Sequence, residues 1–347
     1  MIPVPSIAGA PALATTAVIG CVVMLASAEM ALRRLTHVAR VYRLSPGLVG
    51  LLGALAGDAP EVATALVAMA GGSAAVAVGV VLGSDLFNLA AVLGVPALWF
   101  GLVQARTYGL SLNGGAALIA TALVGLLIYP ANPSPLVILP LLVLGLLVGT
   151  ALALGSRVLR RVVGARLTAV ITRQELEEAA AEAEQIDPEP LVNPVRWYDW
   201  LAVALALGMV AVGAELTLRG SLGLASSWHV PHFLLSTFVL PIVTSLPNAY
   251  VAFRLVQGGR PAAAVSSLFN SNLINLLVGL GLPVILFGGP RVSSMVRLLD
   301  YPALMILTIF TLVAMLPRRS MGRVGGSALI LLYLTYAAGR IALSVAS

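Results

Sequence analysis

Two acidic residues in an apolar stretch are the first sign of chemistry in this chain. Asp58 and Glu61 flank Pro60 and lie three positions apart, so on a helix they share one face. An ionised carboxylate at the centre of a bilayer costs about 2.5–3.5 kcal/mol on insertion scales, so it needs a partner or a proton. No arginine lies beside these residues in the sequence. The pattern therefore predicts that a bound cation or protons compensate the charge.

The segment that carries these acids occurs a second time in the chain. Residues 57–96 match residues 244–283 at a constant offset of 187. The matching positions are polar, Gly or Pro: Pro60, Ser84, Asn88, Gly94 and Pro96 align with Pro247, Ser271, Asn275, Gly281 and Pro283. Internal duplication in a membrane protein indicates a transporter whose substrate lies between the two copies.

Neutral oxygen donors accompany the acids in both copies. The candidates are Ser84, Asn88, Thr244, Ser245, Asn248, Ser271 and Asn275. In each copy a Ser and an Asn lie four positions apart on one helix face, and Asn248 aligns with Glu61. With Asp58 and Glu61 as the metal ligands proper, the set suffices for the six to eight oxygens that Ca²⁺ prefers. The alternative is that Ser, Asn and Gly only close helix packing in lipid.

Both prolines are predicted to break their helices. Pro60 removes the hydrogen bond to the carbonyl of Ala56, and Pro247 does the same for the carbonyl of Val243. A broken helix at membrane depth is tolerated where it lines a cavity, and the freed carbonyls can bind a cation.

Asp85 is harder to place from sequence. It follows Ser84 directly, about 100° further round the helix, so it need not face the same cavity. We assign it as a proton-pathway residue or as one that lies behind the ligands. Glu29 and Glu215 lie near arginines and are expected to form ion pairs at the membrane interface. His229 and His232 fall in a loop, where a metal site is not expected.

Composition defines the class of protein. Of 347 residues, 59% are hydrophobic and only 10% are charged, and the mean hydropathy is +1.01. These values predict an all-α polytopic membrane protein, and we expect ten transmembrane helices. The apolar segments are 8–28, 46–70, 74–103, 109–129, 135–156, 198–217, 233–256, 262–288, 300–316 and 325–345.

The charges predict how the chain is oriented. All twenty basic residues are Arg, and ten spans would place sixteen of them on one side and four on the other. We expect the protein in the plasma (inner) membrane. The positive-inside rule then places the central loop in the cytoplasm and both termini outside. The net charge of +6 is a topology signal, and nucleic-acid binding is not expected. Cys21 is alone, which excludes a disulfide framework or a thiolate metal site.

Three regions follow from this count. Residues 1–156 form a first five-helix repeat, 157–196 a charged cytoplasmic linker, and 197–347 a second five-helix repeat. Because five is odd, the second repeat enters the membrane inverted, which gives a pseudo-twofold axis in the membrane plane. The linker holds seven of the fourteen acids, and we interpret it as a solvated connector. A Ca²⁺-sensing role for the linker is not supported, because its acidic residues do not have the spacing of an EF-hand loop.

At these residues the chain resembles the Ca²⁺/cation antiporter superfamily, which includes the Na⁺/Ca²⁺ and Ca²⁺/H⁺ exchangers. Residues 57–61 (GDAPE) and 83–88 (GSDLFN) are similar to the first conserved repeat. Residues 244–248 (TSLPN) and 270–275 (NSNLIN) are similar to the second, and 213–216 (GAEL) to the opening helix. The resemblance implies ten helices, an extracytoplasmic N-terminus and a central cytoplasmic loop.

Three positions depart from the family pattern. The second repeat normally contributes another Glu where this chain has Asn248, and several members carry Asp where Asn275 stands. Asp58 occupies a position usually held by Ser or Asn. The departures bear on ion identity and stoichiometry more than on fold.

The resulting hypothesis is a secondary active antiporter that exchanges Ca²⁺ for Na⁺ or H⁺ by alternating access. Its expected partners are the lipid bilayer and small inorganic cations, with no cofactor beyond the transported ion. The alternatives are a monovalent cation (Na⁺ or K⁺)/H⁺ antiporter, which the missing second Glu favours, and a degenerate member that no longer transports. An enzyme is not expected, because the common intramembrane and hydrolase motifs are lacking.

Overall fold

A computed structural model describes residues 9–42, 55–105, 109–130, 194–290 and 292–346, together with 136, 139, 140, 143 and 145. Within these ranges the chain is almost entirely helical. Seven helices are long and apolar enough to cross a membrane, and two shorter apolar helices accompany them. This confirms an all-helical membrane protein. The predicted helix 135–156 and the linker to residue 193 lie outside the described ranges, apart from the single residues named.

Among its described residues, the first half contains four helices and one strand. Their bounds are α1, Ala10–Val41; α2, Ala59–Ala70; α3, Ala74–Phe100; β1, Leu102–Gln104; and α4, Gly115–Ile128. α1 extends well beyond the predicted end at residue 28. The reason is that the Arg residues near its C-terminal end do not stop a helix, because long basic side chains have good helix propensity.

The second half contains five helices and one strand. Their bounds are α5, Trp197–Ser227; α6, His232–Gln257; α7, Pro261–Phe287; α8, Val296–Met315; β2, Ser320–Gly322; and α9, Arg323–Ala346. α5 begins where the carboxylate of Asp199 accepts a hydrogen bond from the backbone N–H of Arg196 at 2.8 Å, which satisfies a donor at the helix start.

The helix bounds repeat at the offset found in the sequence. α3 and α7 start 187 residues apart and end 187 residues apart. Each contains a π-helical segment, Leu89–Gly94 in α3 and Asn275–Leu280 in α7, that begins at or next to the Asn of the repeated motif. π-Helical turns arise without a clear sequence signal and are frequent at functional sites. The two halves therefore share local backbone geometry as well as sequence.

The strands were not predicted. β1 and β2 pair antiparallel, with Val103 opposite Met321 and both side chains buried. Gly101, which ends α3, has φ of +89° and turns the chain into β1, a conformation that other residues rarely adopt. The ribbon ties the end of α3 to the start of α9.

A buried ion pair joins α8 and α9. Arg340 Nε donates to Asp300 Oδ1 at 2.8 Å, and Tyr336 OH donates to the same oxygen at 3.0 Å. The guanidinium also lies over the ring of Phe233 in α6, 4.6 Å from its centroid. Arg340 is one of the four arginines that the charge count placed in loops on the minority side, and that placement is wrong, because the residue is buried within α9.

α1 and α5 pack closely through glycine. A Cβ added to Gly213 would lie 2.6 Å from the backbone nitrogen of Met24, whereas a Cβ added to Gly208, on the same helix, would meet no atom within 4 Å. Arg34, near the C-terminal end of α1, joins it to the N-terminal end of α5: its Nη1 donates to Asp199 Oδ1 at 2.9 Å. α1 and α5 thus form a tightly associated pair.

This packing predicts a difference between two alanine substitutions. Both Gly208→Ala and Gly213→Ala gain about 1 kcal/mol of helix propensity. Only Gly213→Ala also forces the α1 and α5 backbones apart, at an overpacking cost of about 1–3 kcal/mol. We expect a lower thermal unfolding temperature for Gly213→Ala than for Gly208→Ala in detergent. Equal temperatures would contradict the close approach.

Candidate functional site

The repeated motifs meet at the centre of the helix bundle. α2, α3, α6 and α7 pack against one another, and the motif residues of α3, α6 and α7 lie near the middle of helices 26 or 27 residues long. A helix of that length spans the hydrocarbon core of a bilayer. The polar side chains therefore lie at membrane depth.

The helical path is interrupted at Asp58: residues 55–57 are helical, Asp58 forms a turn, and α2 follows directly. Asp58 has φ of −90° and ψ of 4°, and α2 begins at Ala59 with Pro60 in its first turn. The N–H groups of the first helical turn have no partner within the helix, so a proline at this position, which lacks an N–H, loses no hydrogen bond. The Asp58 side chain does not cap its own helix, so its carboxylate is available to the second half.

Asp58 is held by two residues of the second half. Its Oδ1 accepts a hydrogen bond from Asn248 Nδ2 at 2.8 Å and another from Ser271 Oγ at 2.7 Å. The residue is 1% exposed. Both donors are neutral, so the contacts hold the carboxyl group in place without neutralising a negative charge.

Glu61 is held in a similar way. Its Oε1 accepts a hydrogen bond from Ser245 Oγ at 2.8 Å, and the side chain is fully buried. Thr244 lies beside Ser245, but its hydroxyl donates to the carbonyls of Leu240 and Pro241 in its own helix. Thr244 can therefore offer only oxygen lone pairs to a ligand.

A second group of contacts joins α3 and α7. Asn88 Nδ2 lies 3.2 Å from both Ser271 Oγ and Asn272 Oδ1. Asn272 Nδ2 donates to the backbone carbonyl of Asp85 at 3.1 Å, and Asn275 Nδ2 donates to Asp85 Oδ1 at 3.0 Å. Ser271 belongs to both groups of contacts, so one hydrogen-bonded network runs from Asp58 to Asn272.

Glu61, which is near Asp58, and Ser84, which precedes Asp85 in α3, lie beside these hydrogen-bonded residues, and the whole group is called the buried polar network. Among the described residues, its buried oxygens without a hydrogen-bond partner are Asp58 Oδ2, Glu61 Oε2, Ser84 Oγ, Asp85 Oδ2, Asn88 Oδ1 and Asn275 Oδ1. Native proteins rarely leave buried polar atoms unpaired, and each such atom calls for an explanation such as a bound ion. Five of the six are carboxylate or amide oxygens, and the sixth is a hydroxyl. All are hard oxygen ligands of the kind that Ca²⁺ and Na⁺ accept.

The three carboxyl groups do not form one compact metal centre. No group of three or more His, Cys, Asp or Glu side chains within the described part of the chain is placed to hold a metal ion. Nor does any ion pair of the described residues involve Asp58, Glu61 or Asp85. A bound cation would thus depend on amide and hydroxyl oxygens as well as on carboxylates.

The structure overturns one sequence expectation and shows the surroundings of one residue that the sequence left open. α6 continues through Pro247 without interruption, so the second helix break is a wrong prediction. A helix can absorb one missing hydrogen bond when the flanking turns are held by packing. Asp85 could not be placed from sequence, but it lies in the network through Asn272 and Asn275. The only signal in the sequence is that Asp85 aligns with an amide residue, Asn272.

The remaining polar candidates lie elsewhere. Glu29 pairs with Arg33 at 2.7 Å, and Glu215 pairs with Arg219. Both are one-turn pairs within α1 and α5, rather than at the ends of those helices. His229 lies between α5 and α6, and the ring of His232 contacts Ser226 Oγ at 3.1 Å.

Comparison with known proteins agrees with this architecture. The sequence profile of the sodium/calcium exchanger protein family matches residues 12–170 and 198–342. The chain is 26% identical over 327 residues to the putative antiporter CaxA of Alkalimonas amylolytica, covering 92% of this chain and 95% of CaxA. It is 24% identical over 296 residues to the inner membrane protein YrbG of Escherichia coli K12, covering 84% of this chain and 85% of YrbG.

Two solved structures have the same fold. The H⁺/Ca²⁺ exchanger CAX superimposes with a TM-score of 0.70 at 16% identity, covering 96% of this chain and 86% of CAX. The sodium-calcium exchanger NCX_Mj superimposes with a TM-score of 0.59 at 18% identity, covering 94% and 97%. At these identities the structures establish the fold alone.

The match to the family model over most of the chain identifies it as a membrane antiporter. The chain belongs to the sodium/calcium exchanger family. The family and both solved structures are named exchangers, and CaxA is named a putative antiporter, which confirms the prediction that the chain is not an enzyme.

Proposed function

We propose that the protein is a secondary active antiporter that exchanges Ca²⁺ for Na⁺ or H⁺ by alternating access, without a resident cofactor. The observation that carries the proposal is the set of buried oxygens around Asp58 and Glu61 that have no hydrogen-bond partner. Burying two carboxyl groups at membrane depth is costly. A cation that binds between the two carboxyl groups offsets that cost, and the cost returns when the cation leaves. Release of one cation can therefore be coupled to binding of a competing ion.

The cation ligands would come from both halves. Asp58 and Glu61 supply the charge, and the neutral ligands would be Ser84, Asn88, Thr244, Ser245, Asn248, Ser271 and Asn275. The distances of 2.7 and 2.8 Å that join Asp58 and Glu61 to the second half support a site at the interface between the repeats. A site of this kind closes only when both halves are in contact, as alternating access requires.

The wider architecture is part of the proposal. We infer ten transmembrane helices in two inverted repeats, with the termini extracytoplasmic and the central loop cytoplasmic. The equal offsets of the helix bounds support the two-repeat arrangement, and the Arg distribution supports the orientation. The relative YrbG is named an inner membrane protein, which agrees with a location in the plasma membrane.

The α1–α5 pair is the element we expect to move. These two helices pack on each other through Gly213 and are joined by Arg34 and Asp199. They meet α2 through a small apolar cluster that includes Met24, Ala63 and Val210. Apolar contacts of this kind permit sliding, because they are not directional. A hydrogen bond from Thr64 Oγ1 to Met24 Sδ at 3.7 Å also joins α2 to α1, but a thioether sulfur is a weak acceptor.

One observation favours the monovalent alternative. Asn248 places an amide where the family resemblance has a carboxylate, and Na⁺/H⁺ or K⁺/H⁺ exchange needs less negative charge than Ca²⁺ exchange. A degenerate member that no longer transports is the third reading. The retained buried carboxyl groups argue against it, since a protein that binds no ion gains nothing from their insertion cost.

Radioactive flux into proteoliposomes tests the proposal and its alternative. ⁴⁵Ca²⁺ uptake would be measured under an imposed Na⁺ gradient and, separately, under a pH gradient, with ²²Na⁺ flux measured in parallel. We expect Ca²⁺ uptake under one gradient, which also identifies the counter-ion. Na⁺ flux driven by a pH gradient without Ca²⁺ uptake would support the monovalent exchanger. No flux of either ion through a folded protein would refute transport.

A further inference from the structure

The contacts between the two halves come in pairs that the repeat relates. An offset of 187 converts Asp58 into Ser245 and Glu61 into Asn248. The Asn248–Asp58 hydrogen bond therefore has the Ser245–Glu61 hydrogen bond as its counterpart, and both are 2.8 Å long. The two contacts occupy equivalent places on opposite sides of the pseudo-twofold relation.

The same relation holds for the contacts between α3 and α7. The offset converts Asp85 into Asn272 and Asn88 into Asn275. The Asn275–Asp85 hydrogen bond at 3.0 Å thus has the Asn88–Asn272 hydrogen bond at 3.2 Å as its counterpart. Asp85 is therefore part of the repeated interface and not an isolated acid.

The carboxyl groups break this symmetry. All three acids of the network, Asp58, Glu61 and Asp85, lie in the first half, and they align with Ser245, Asn248 and Asn272. Two of the acids, Asp58 and Asp85, each accept a hydrogen bond from an Asn of the second half. The first half thus supplies the negative charge, and the second half supplies amides that touch it.

Asp85 is more than a structural hydrogen-bond partner. If it only held α3 against α7, its carboxyl group and the facing amides would be expected to be fully paired. Instead Asp85 Oδ2, Asn88 Oδ1 and Asn275 Oδ1 are buried and unpaired among the described residues. Three acceptor oxygens without a donor attract positive charge, as the oxygens around Asp58 and Glu61 do.

We propose that Asp85 is a third charged residue of the ion site, and that the site functions whether this carboxylate is at position 85 or at position 275. The inference rests on the proposed function, and the ligand is the small inorganic cation that the protein carries. Because a single hydrogen bond joins the two residues, exchanging Asp and Asn moves the charge by only about 3 Å. The site then keeps its number of carboxylates and its oxygen ligands.

A double-mutant cycle tests this inference. The variants are Asp85→Asn, Asn275→Asp and the exchange of both, reconstituted in proteoliposomes and assayed for uptake of the cation that the wild type carries, Ca²⁺ or Na⁺. We expect Asp85→Asn to raise the half-saturating cation concentration by roughly tenfold or more, because it removes a buried negative charge. Asn275→Asp adds a negative charge beside the site and should not raise that concentration. The exchange should return it to within about threefold of the wild type.

The outcomes distinguish the role of Asp85 from the proposed transport function. Wild-type affinity in Asp85→Asn would overturn the inference, as would an exchange variant that is folded and binds the cation no better than Asp85→Asn. A purely structural role would change the unfolding temperature and leave half-saturation unchanged, so both are measured. Glu29→Gln, an exposed carboxyl change on α1, serves as the control for reconstitution. If the wild type carries neither cation, the proposed function fails first, and this inference fails with it.

Discussion

Replacing Glu61 by glutamine is expected to abolish cation transport while the protein remains folded. The side chain is fully buried, Ser245 holds one carboxylate oxygen, and the other oxygen is unpaired among the described residues. Glutamine has the same shape but places a neutral amide, with hydrogens, where a cation needs oxygen. Uptake by Glu61→Gln in proteoliposomes should fall to the level of protein-free vesicles.

Stability separates this effect from misfolding. Removing a buried charge should leave the unfolding temperature unchanged or raise it, because an ionisable group in an apolar interior is costly. The matched control is Glu29→Gln, because Glu29 is exposed and pairs with Arg33 within one turn of α1. We expect the control to transport at the wild-type rate. Undiminished uptake by Glu61→Gln would remove the main ligand from the proposed site.

Replacing Arg340 by methionine is expected to destabilise the protein strongly. The substitution leaves the Asp300 carboxyl group buried with Tyr336 as its remaining hydrogen-bond donor. Breaking a buried ion pair by removing one partner typically costs about 3–5 kcal/mol, since the other charge is left uncompensated. The thermal unfolding temperature of Arg340→Met in detergent should fall well below that of the wild type.

Two further variants make this prediction specific. Arg219→Met breaks the exposed pair with Glu215, and exposed pairs contribute only about 0–1 kcal/mol. The double variant Asp300→Leu with Arg340→Met removes both charges and should recover most of the lost stability. An unfolding temperature for Arg340→Met no lower than that for Arg219→Met would show that the buried pair does not stabilise the bundle.

The sequence predicted the fold class and most of the site residues for a physical reason. Polar, Gly and Pro residues are costly in hydrocarbon, so a pattern of them that recurs at a fixed offset stands out against an apolar background. That pattern identified Asp58, Glu61 and their aligned partners in the second half. It also predicted their spacing on helix faces, because periodicity depends only on local geometry.

Features that depend on how helices cross could not be predicted. Whether Asp85 reaches Asn275 is decided by the rotation of α3 against α7, which no local pattern encodes. The π-helical segments, such as Asn275–Leu280, change that rotation and lack a sequence signal. The uninterrupted course of α6 through Pro247 depends in the same way on packing that supports the flanking turns.

The buried ion pair was missed for a different reason. Arg340 is one charge within a long apolar segment, and charge counting assigns such a residue to the nearer loop. Only its contacts with Asp300 and Phe233 show that it lies inside the bundle. A single intramembrane Arg is therefore better interpreted by asking which acid could reach it.

Equilibrium binding of ⁴⁵Ca²⁺ to the purified, detergent-solubilised protein is the first measurement to make for a cation site at Asp58 and Glu61, because binding does not require the helices to move. We expect saturable binding that Na⁺ or H⁺ displaces, and that is lost in both Asp58→Asn and Glu61→Gln but kept in Glu29→Gln. Saturable binding that survives in folded Asp58→Asn and Glu61→Gln protein would contradict this expectation, because the cation would then be held elsewhere.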